Sequence, residues 1–160
     1  MDQSASMQPL NLPAFPFRTR QEGKKLLIFD PFRKKYVALT PEEWVRQHFL
    51  AWLSVEKDYP AGLISVEAPL KYHRLQKRAD GVIYHRNGIP LMVVECKAPS
   101  VKITQEVFDQ VARYNMAFGV PFLAVTNGLE HFCCRRSEIS PGWVFLEEIP
   151  SYHALEAALP

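Results

Sequence analysis

Apolar and polar residues alternate with a period of two in several short runs of the chain, and recur at helical spacing in two longer ones. The first alternating runs predict strands at Leu26–Asp30 and Tyr36–Leu39, with Pro31–Lys35 as their loop. Thr40-Pro41-Glu42-Glu43 then marks a helix start: Thr40 suits the cap, Pro41 the first turn, and Glu43 stands three residues after Thr40. Val45, Phe49, Trp52 and Leu53 give that helix an apolar face to about Lys57. At helical spacing Glu42 falls in the middle of this face and Glu43 toward its edge, so Glu42 is a carboxylate aimed at the protein body.

Further strands are predicted at Leu63–Leu70, Lys77–Arg86 and Ile89–Ala98. Thr104 caps a second helix running to about Phe118, and Pro121–Thr126 is an apolar strand stopped by Asn127-Gly128. Strands at His131–Arg136 and Trp143–Glu148 and a terminal helix at Tyr152–Leu159 complete the pattern. This order describes an α/β domain, a mixed central β-sheet flanked by helices, with extra strands at both ends. Residues 1–22 read as an extended arm broken by Pro9, Pro13 and Pro16, with Phe15 and Phe17 packing on the body, and 23–160 as a single domain.

Composition narrows the class. The 160 residues, 48% hydrophobic, suffice for one ordinary core. Neither a long apolar run nor a signal-peptide pattern is present, so the expectation is a cytoplasmic protein without a membrane span. The three cysteines, Cys96, Cys133 and Cys134, make a poor disulfide framework, and no cysteine or histidine spacing suggests zinc. The net charge of +2 does not by itself indicate nucleic-acid binding. Basic residues nevertheless cluster at Lys24-Lys25, Arg33-Lys34-Lys35, Lys71–Arg78 and Arg135-Arg136, and each cluster is either solvated surface or a phosphate contact.

Asn87-Gly88 between two alternating runs predicts a two-residue type I′ hairpin, whose register sets Asp80 opposite Glu95, with Lys97 on the same face. Pro90 lacks a strand donor and is a point where the register can shift. Two opposed carboxylates repel, and a hard divalent cation between them would remove the conflict. The bland alternative is a structural cluster of acidic and basic side chains.

At these residues the chain resembles the PD-(D/E)XK nuclease superfamily. Arg78-Ala79-Asp80, a gap of fourteen residues, and Glu95-Cys96-Lys97-Ala98-Pro99 carry the resemblance, with Ala79 standing where the superfamily name has proline. Gln110-Val111-Ala112-Arg113-Tyr114 adds a Q-x-x-x-Y element, which a helix places on one face. The chain is most similar to the nuclease domain at the N-terminus of type I restriction enzyme R subunits, over roughly Thr40 to Gly128. The resemblance implies a restriction-endonuclease-like core in the order α-β-β-β-α-β and hydrolysis of DNA phosphodiester bonds. It implies Mg²⁺, replaceable by Mn²⁺, held by Asp80, Glu95 and the Cys96 carbonyl. Lys97 would orient water and stabilise negative charge, and Glu42 would complete the metal shell, Glu43 being better employed in the cap. Gln110, Tyr114 and Arg78 are the nucleic-acid contacts it suggests. The Cys96 side chain alternates to the opposite face and reads as core.

Two rival readings stand beside this: a non-catalytic nucleic-acid-binding module that retains the fold, and an interaction domain whose charged cluster is only structural. No G-x-x-x-x-G-K-[ST] phosphate loop occurs, so this chain has no ATP-driven motor, and a helicase or specificity subunit would be a separate partner.

Overall fold

The computed structural model describes residues 7–139 and 142–159. Strands β1 (Thr19–Glu22), β2 (Lys25–Asp30) and β3 (Lys35–Ala38) form a small antiparallel sheet. Helix α1 (Pro41–Glu56) follows, then β4 (Ile64–Tyr72), β5 (Leu75–Tyr84), β6 (Pro90–Cys96), α2 (Gln105–Met116), β7 (Phe122–Thr126), β8 (His131–Arg136), β9 (Trp143–Phe145) and α3 (Tyr152–Ala157). The β4–β9 strands make one six-stranded sheet in chain order. Only β6 and β7 pair in parallel, as the α2 crossover requires. Thr19–Glu22, at the end of the stretch read as an arm, is a strand because the Gly23-Lys24 turn folds it back on β2.

The sheet has a core on each face. On one, Val45, Phe49, Leu50 and Leu53 of α1 pack with Ile83, Met92, Val94 and Cys96, joined by Tyr152 and Leu155 of α3. On the other, Phe108 and Ala112 of α2 pack with Val82, Val93, Leu123 and Val125. The mixed α/β expectation therefore holds. Among the described residues no helix is long and apolar enough to cross a membrane. The three cysteines are free and buried. Cys96 belongs to the α1-side core, and burial pushes its thiol well above the ordinary value.

The N-terminal segment lies along α1. Phe15 and Phe17 make ring contacts with His48, whose ring also lies 4.1 Å from that of Trp44. His131 holds the same segment through Nε2 to the Asn11 carbonyl at 2.9 Å, with Nδ1 on Thr126 Oγ1 at 2.7 Å. Burial lowers the pKa of both histidines, against the backbone carbonyl at each ring, which raises it. Folding thus disfavours their protonation, so the stability they contribute is present above 6.5 and is lost as pH falls below it. Thermal melting from neutral to mildly acidic pH should show a falling midpoint, and a His48→Gln/His131→Gln variant should show a shallower fall. Parallel curves would contradict this assignment.

The β5–β6 hairpin departs from the expected turn. Gly88 has φ of 90°, but Asn87 does not have positive φ, so a type I′ turn is excluded. The His85 N–H donates to the Ile89 carbonyl at 2.8 Å and the Gly88 N–H to the His85 carbonyl at 2.9 Å, closing a three-residue loop. That loop sets Tyr84 opposite Pro90, one position off the expected register. A bulge next to Pro90 then restores it, and Ile83, Val82 and Gly81 face Met92, Val93 and Val94. The paired register ends at Gly81 and Val94, and Asp80 and Glu95 are the next residues beyond it on the two strands.

Candidate active site

Asp80 sits at a break in the β4–β5 ladder. Val66 pairs with Gly81 and Ala68 with Ala79, but Glu67 and Asp80 between them are unpaired, and Glu67 has φ of 52°. Ile64 and Val66 pack on the α1 side, whereas Ala68 and Leu70, at the same parity of the same strand, pack on the α2 side. The strand therefore exchanges its faces at Glu67. A side chain at such a crossing is free of the strict alternation that a regular ladder imposes.

The Asp80 carboxylate uses that freedom. Its Oδ2 accepts the Cys96 N–H of β6 at 2.7 Å, and its Oδ1 lies 3.4 Å from Nη1 of Arg46 on α1. Burial raises its pKa, while the Cys96 N–H and the charges of Arg46, Lys77 and Lys97 act the other way. Glu95 is held from the opposite side of the sheet. It pairs with Lys77 of β5, and Asn115 of α2 spans the two, accepting from Lys77 at 3.1 Å and donating to Glu95 at 3.4 Å. Lys77 also lies 5.0 Å from the centre of the Tyr114 ring. Burial pulls its ammonium down to about 8, with Asp80 opposing and Lys97 adding repulsion. The like-charge conflict between Asp80 and Glu95 is thus relieved here by protein cations.

Lys97 follows β6 and is half-buried. Its backbone N–H continues the pairing to Thr126 at 2.8 Å. Its charge acts on both Asp80 and Lys77, yet its ammonium makes no hydrogen bond or ion pair among the described residues. It is a cation inside the site with its donors uncommitted.

The helix carboxylate differs from the expectation. Glu42 is exposed, and Glu43 is the buried one, at 4% exposure. Thr40 caps the helix by accepting the Glu43 N–H at 3.1 Å, but the Glu43 carboxylate does not close the capping box. It accepts instead from Arg46 at 2.6 Å, Arg33 at 2.7 Å and Gln47 at 2.8 Å. Burial would raise its pKa, but the Arg46 and Arg33 contacts win and hold it below the usual carboxylate value. Arg33 arrives from the β2–β3 loop, is anchored by the fully buried Asp30, and also reaches Glu67 at 3.4 Å. Buried Gln47 Oε1 has no partner among the described residues, leaving one acceptor for a water-sized donor.

The remaining candidates lie at the rim. Arg78 is exposed, 3.7 Å from Glu67. Gln110 and Tyr114 share one exposed face of α2 and line a groove with Leu75 and Phe118. The Tyr114 hydroxyl donates to the Gln76 carbonyl at 3.3 Å. Lys77, Asn115, Arg46 and Glu67 were not singled out from sequence. Asn115 carried a signal, because it falls on the apolar stripe of α2 with Phe108 and Ala112, and a polar residue there needs a partner.

Asp80 and Glu95 supply hard oxygen donors of the kind Mg²⁺ takes, but among the described residues no group of three or more histidine, cysteine, aspartate or glutamate side chains could hold a metal. Two carboxylates fit an ion that keeps several waters and takes phosphate oxygens. They do not form a closed cage.

The Type I restriction enzyme EcoAI endonuclease subunit of Escherichia coli is 34% identical over 95 residues, which cover 56% of this chain and 12% of that protein. The chain therefore corresponds to a small part of that relative's length. A family described as type I restriction enzyme R protein N terminus (HSDR_N) matches residues 41–150, from the start of α1 to the end of the segment before α3. With the match running over more than half of its length and containing Asp80, Glu95 and Lys97, the chain belongs to the type I restriction enzyme R protein N-terminal family.

Proposed function

We propose that this domain is a metal-dependent nuclease of PD-(D/E)XK type that hydrolyses DNA phosphodiester bonds in a restriction or DNA-processing system. The observation that carries the reading is the uncommitted Lys97 ammonium, whose charge acts on the anchored Asp80 carboxylate, with Glu95 anchored on the neighbouring strand. The order α1-β4-β5-β6-α2-β7 supports reading the domain as a restriction-endonuclease-like core. Asp80 and Glu95, with the Cys96 carbonyl, would hold Mg²⁺, which Mn²⁺ can replace. Such an ion supplies Lewis-acid polarisation of the phosphate and a more acidic bound water.

The chain's own residues do the rest. The Cys96 N–H and Arg46 fix the Asp80 carboxylate, and Asn115 fixes Glu95 and Lys77 together. Lys97 donates to the attacking water or to a phosphate oxygen as negative charge grows there. Lys77 offers a second cation once Glu95 turns from it. Glu43 and Arg33 brace Arg46 rather than touch substrate. Arg78, Gln110 and Tyr114 stand at the rim where the strand enters. DNA is the proposed substrate, and a motor or specificity subunit the proposed partner.

Lys97→Ala should lower the cleavage rate by about a hundredfold, the scale for one donor at a developing charge. Its Mn²⁺ affinity by calorimetry should stay at the wild-type value, because Lys97 is not a ligand. Wild-type cleavage in this variant would remove Lys97 from the mechanism.

A second reading, a non-catalytic nucleic-acid-binding module, is favoured by one feature: Lys77 and Arg46 already neutralise the two carboxylates. Mn²⁺ titration separates the two, since the module needs no metal site and Asp80→Ala would not alter its titration.

A further inference from the structure

The cations of this chain are unevenly placed. Residues 18–35 hold seven of the 19 basic side chains and two of the 17 acidic ones, so the rest of the chain is net negative. These residues form the β1–β3 sheet and its loops, ahead of the span 41–150 that matches the family. One face of the sheet is turned inward, with Ile28 and Asp30 fully buried. The register puts Arg20 opposite Leu27, and Phe29 opposite Tyr36, on the outer face.

That face is built from guanidinium groups lying on rings. Arg18 Cζ is 4.2 Å from the Phe29 ring centre and Arg20 Cζ is 4.1 Å from that of Tyr36. The two rings themselves touch edge to face at 5.3 Å. Both arginines are exposed, and Arg20 also pairs with Glu22 at 2.8 Å. A guanidinium resting on a ring loses less side-chain freedom when it meets an anion, and keeps its forked donors directed outward. Lys34 extends the cations onto the β2–β3 loop. The same loop carries Arg33 to Glu43 and Glu67, so one loop joins the basic face to the candidate active site.

We propose that the outer face of β1–β3 binds the phosphate backbone of a nucleic-acid strand without reading its bases, and so holds the strand next to Asp80. That the polyanion is nucleic acid rests on the function proposed above; the face itself is separate from the Asp80–Glu95–Lys97 set.

The test is fluorescence anisotropy with labelled single-stranded and duplex DNA in EDTA over a range of salt. Arg18→Ala/Arg20→Ala should weaken binding about tenfold, and two lost phosphate contacts should flatten the duplex salt dependence by about 1.8 in the log–log slope. Arg18→Lys/Arg20→Lys, which keeps the charge, should retain most of the slope. Circular dichroism melting checks the fold, and Lys34→Ala, outside the ring stacks, gives an independent loss of binding. Unchanged affinity and slope in both alanine variants would overturn the proposal. So would a wild type that binds neither DNA, or variants impaired only in sedimenting with phosphatidylserine vesicles. Sheet-dependent binding by a protein that cleaves nothing keeps this proposal and removes the nuclease reading. Cleavage with binding indifferent to these residues does the reverse.

Discussion

Asp80→Asn is expected to lower the rate of DNA cleavage at least about a thousandfold, a loss of about 4 kcal/mol of transition-state stabilisation. The same change is expected to raise the melting temperature of the metal-free protein. Both follow from where the carboxylate sits. Burial raises its pKa against the Cys96 N–H and the surrounding cations. A carboxyl whose pKa is raised on folding adds stability below its unfolded value and loses it as pH rises through the folded value. At neutral pH the folded protein therefore carries the cost of an ionised Asp80. Asparagine removes the charge and keeps an oxygen for the Cys96 N–H. Melting in EDTA should show the variant above wild type at neutral pH, with the gap closing as pH falls through the carboxylate range. A variant less stable than wild type would show that the Arg46 contact outweighs burial, and cleavage within tenfold of wild type would remove Asp80 from the site.

Arg46→Met is expected to destabilise the fold by about 3 kcal/mol, the scale for stranding a buried charge. Arg46 ties together the carboxylates of Glu43, Asp80 and Glu67, and its side chain is only 10% exposed. Although burial alone would lower its pKa, Glu43 and Asp80 hold the guanidinium well above its ordinary value. Arg33 remains beside Glu43 in the variant, which limits the loss. Adding Glu43→Gln removes the stranded charge, so the double variant should be less damaged than the sum of the singles. Urea unfolding of the four proteins measures this directly. A midpoint for Arg46→Met equal to wild type would mean that the network carries no net stability.

The elements were legible because local signals agreed with the tertiary packing. Thr40-Pro41 starts α1 and Thr104 starts α2 as capping chemistry requires. The helix carboxylate was less legible. Projecting only the apolar residues of α1 points to Glu42, but α1 also buries Glu43, Arg46 and Gln47. They bond to one another within the helix, and their further partners come from outside it: Arg33 from a loop ten residues before Glu43, Asp80 from a strand 34 residues after Arg46. No helical periodicity encodes the contacts with Arg33 and Asp80.

The β5–β6 register as far as Gly81 and Val94 was legible for a partly mistaken reason. The loop is one residue longer than a type I′ turn, and the bulge beside Pro90 takes up the difference. The face exchange at Glu67 has no sequence signature, since φ of 52° at a glutamate is imposed by packing rather than by residue type. It is this exchange that lets Asp80 reach Arg46 while Glu95 turns to Lys77 and Asn115.

The most direct measurement is cleavage of mixed linear, circular and single-stranded DNA in Mg²⁺ or Mn²⁺ by wild type, Asp80→Ala and Lys97→Ala, each with and without EDTA. Cleavage by wild type that disappears in EDTA and in Asp80→Ala, and falls to a trace in Lys97→Ala, is the expected result. Cleavage that persists in EDTA or in Asp80→Ala would contradict a metal-dependent site built on Asp80, Glu95 and Lys97.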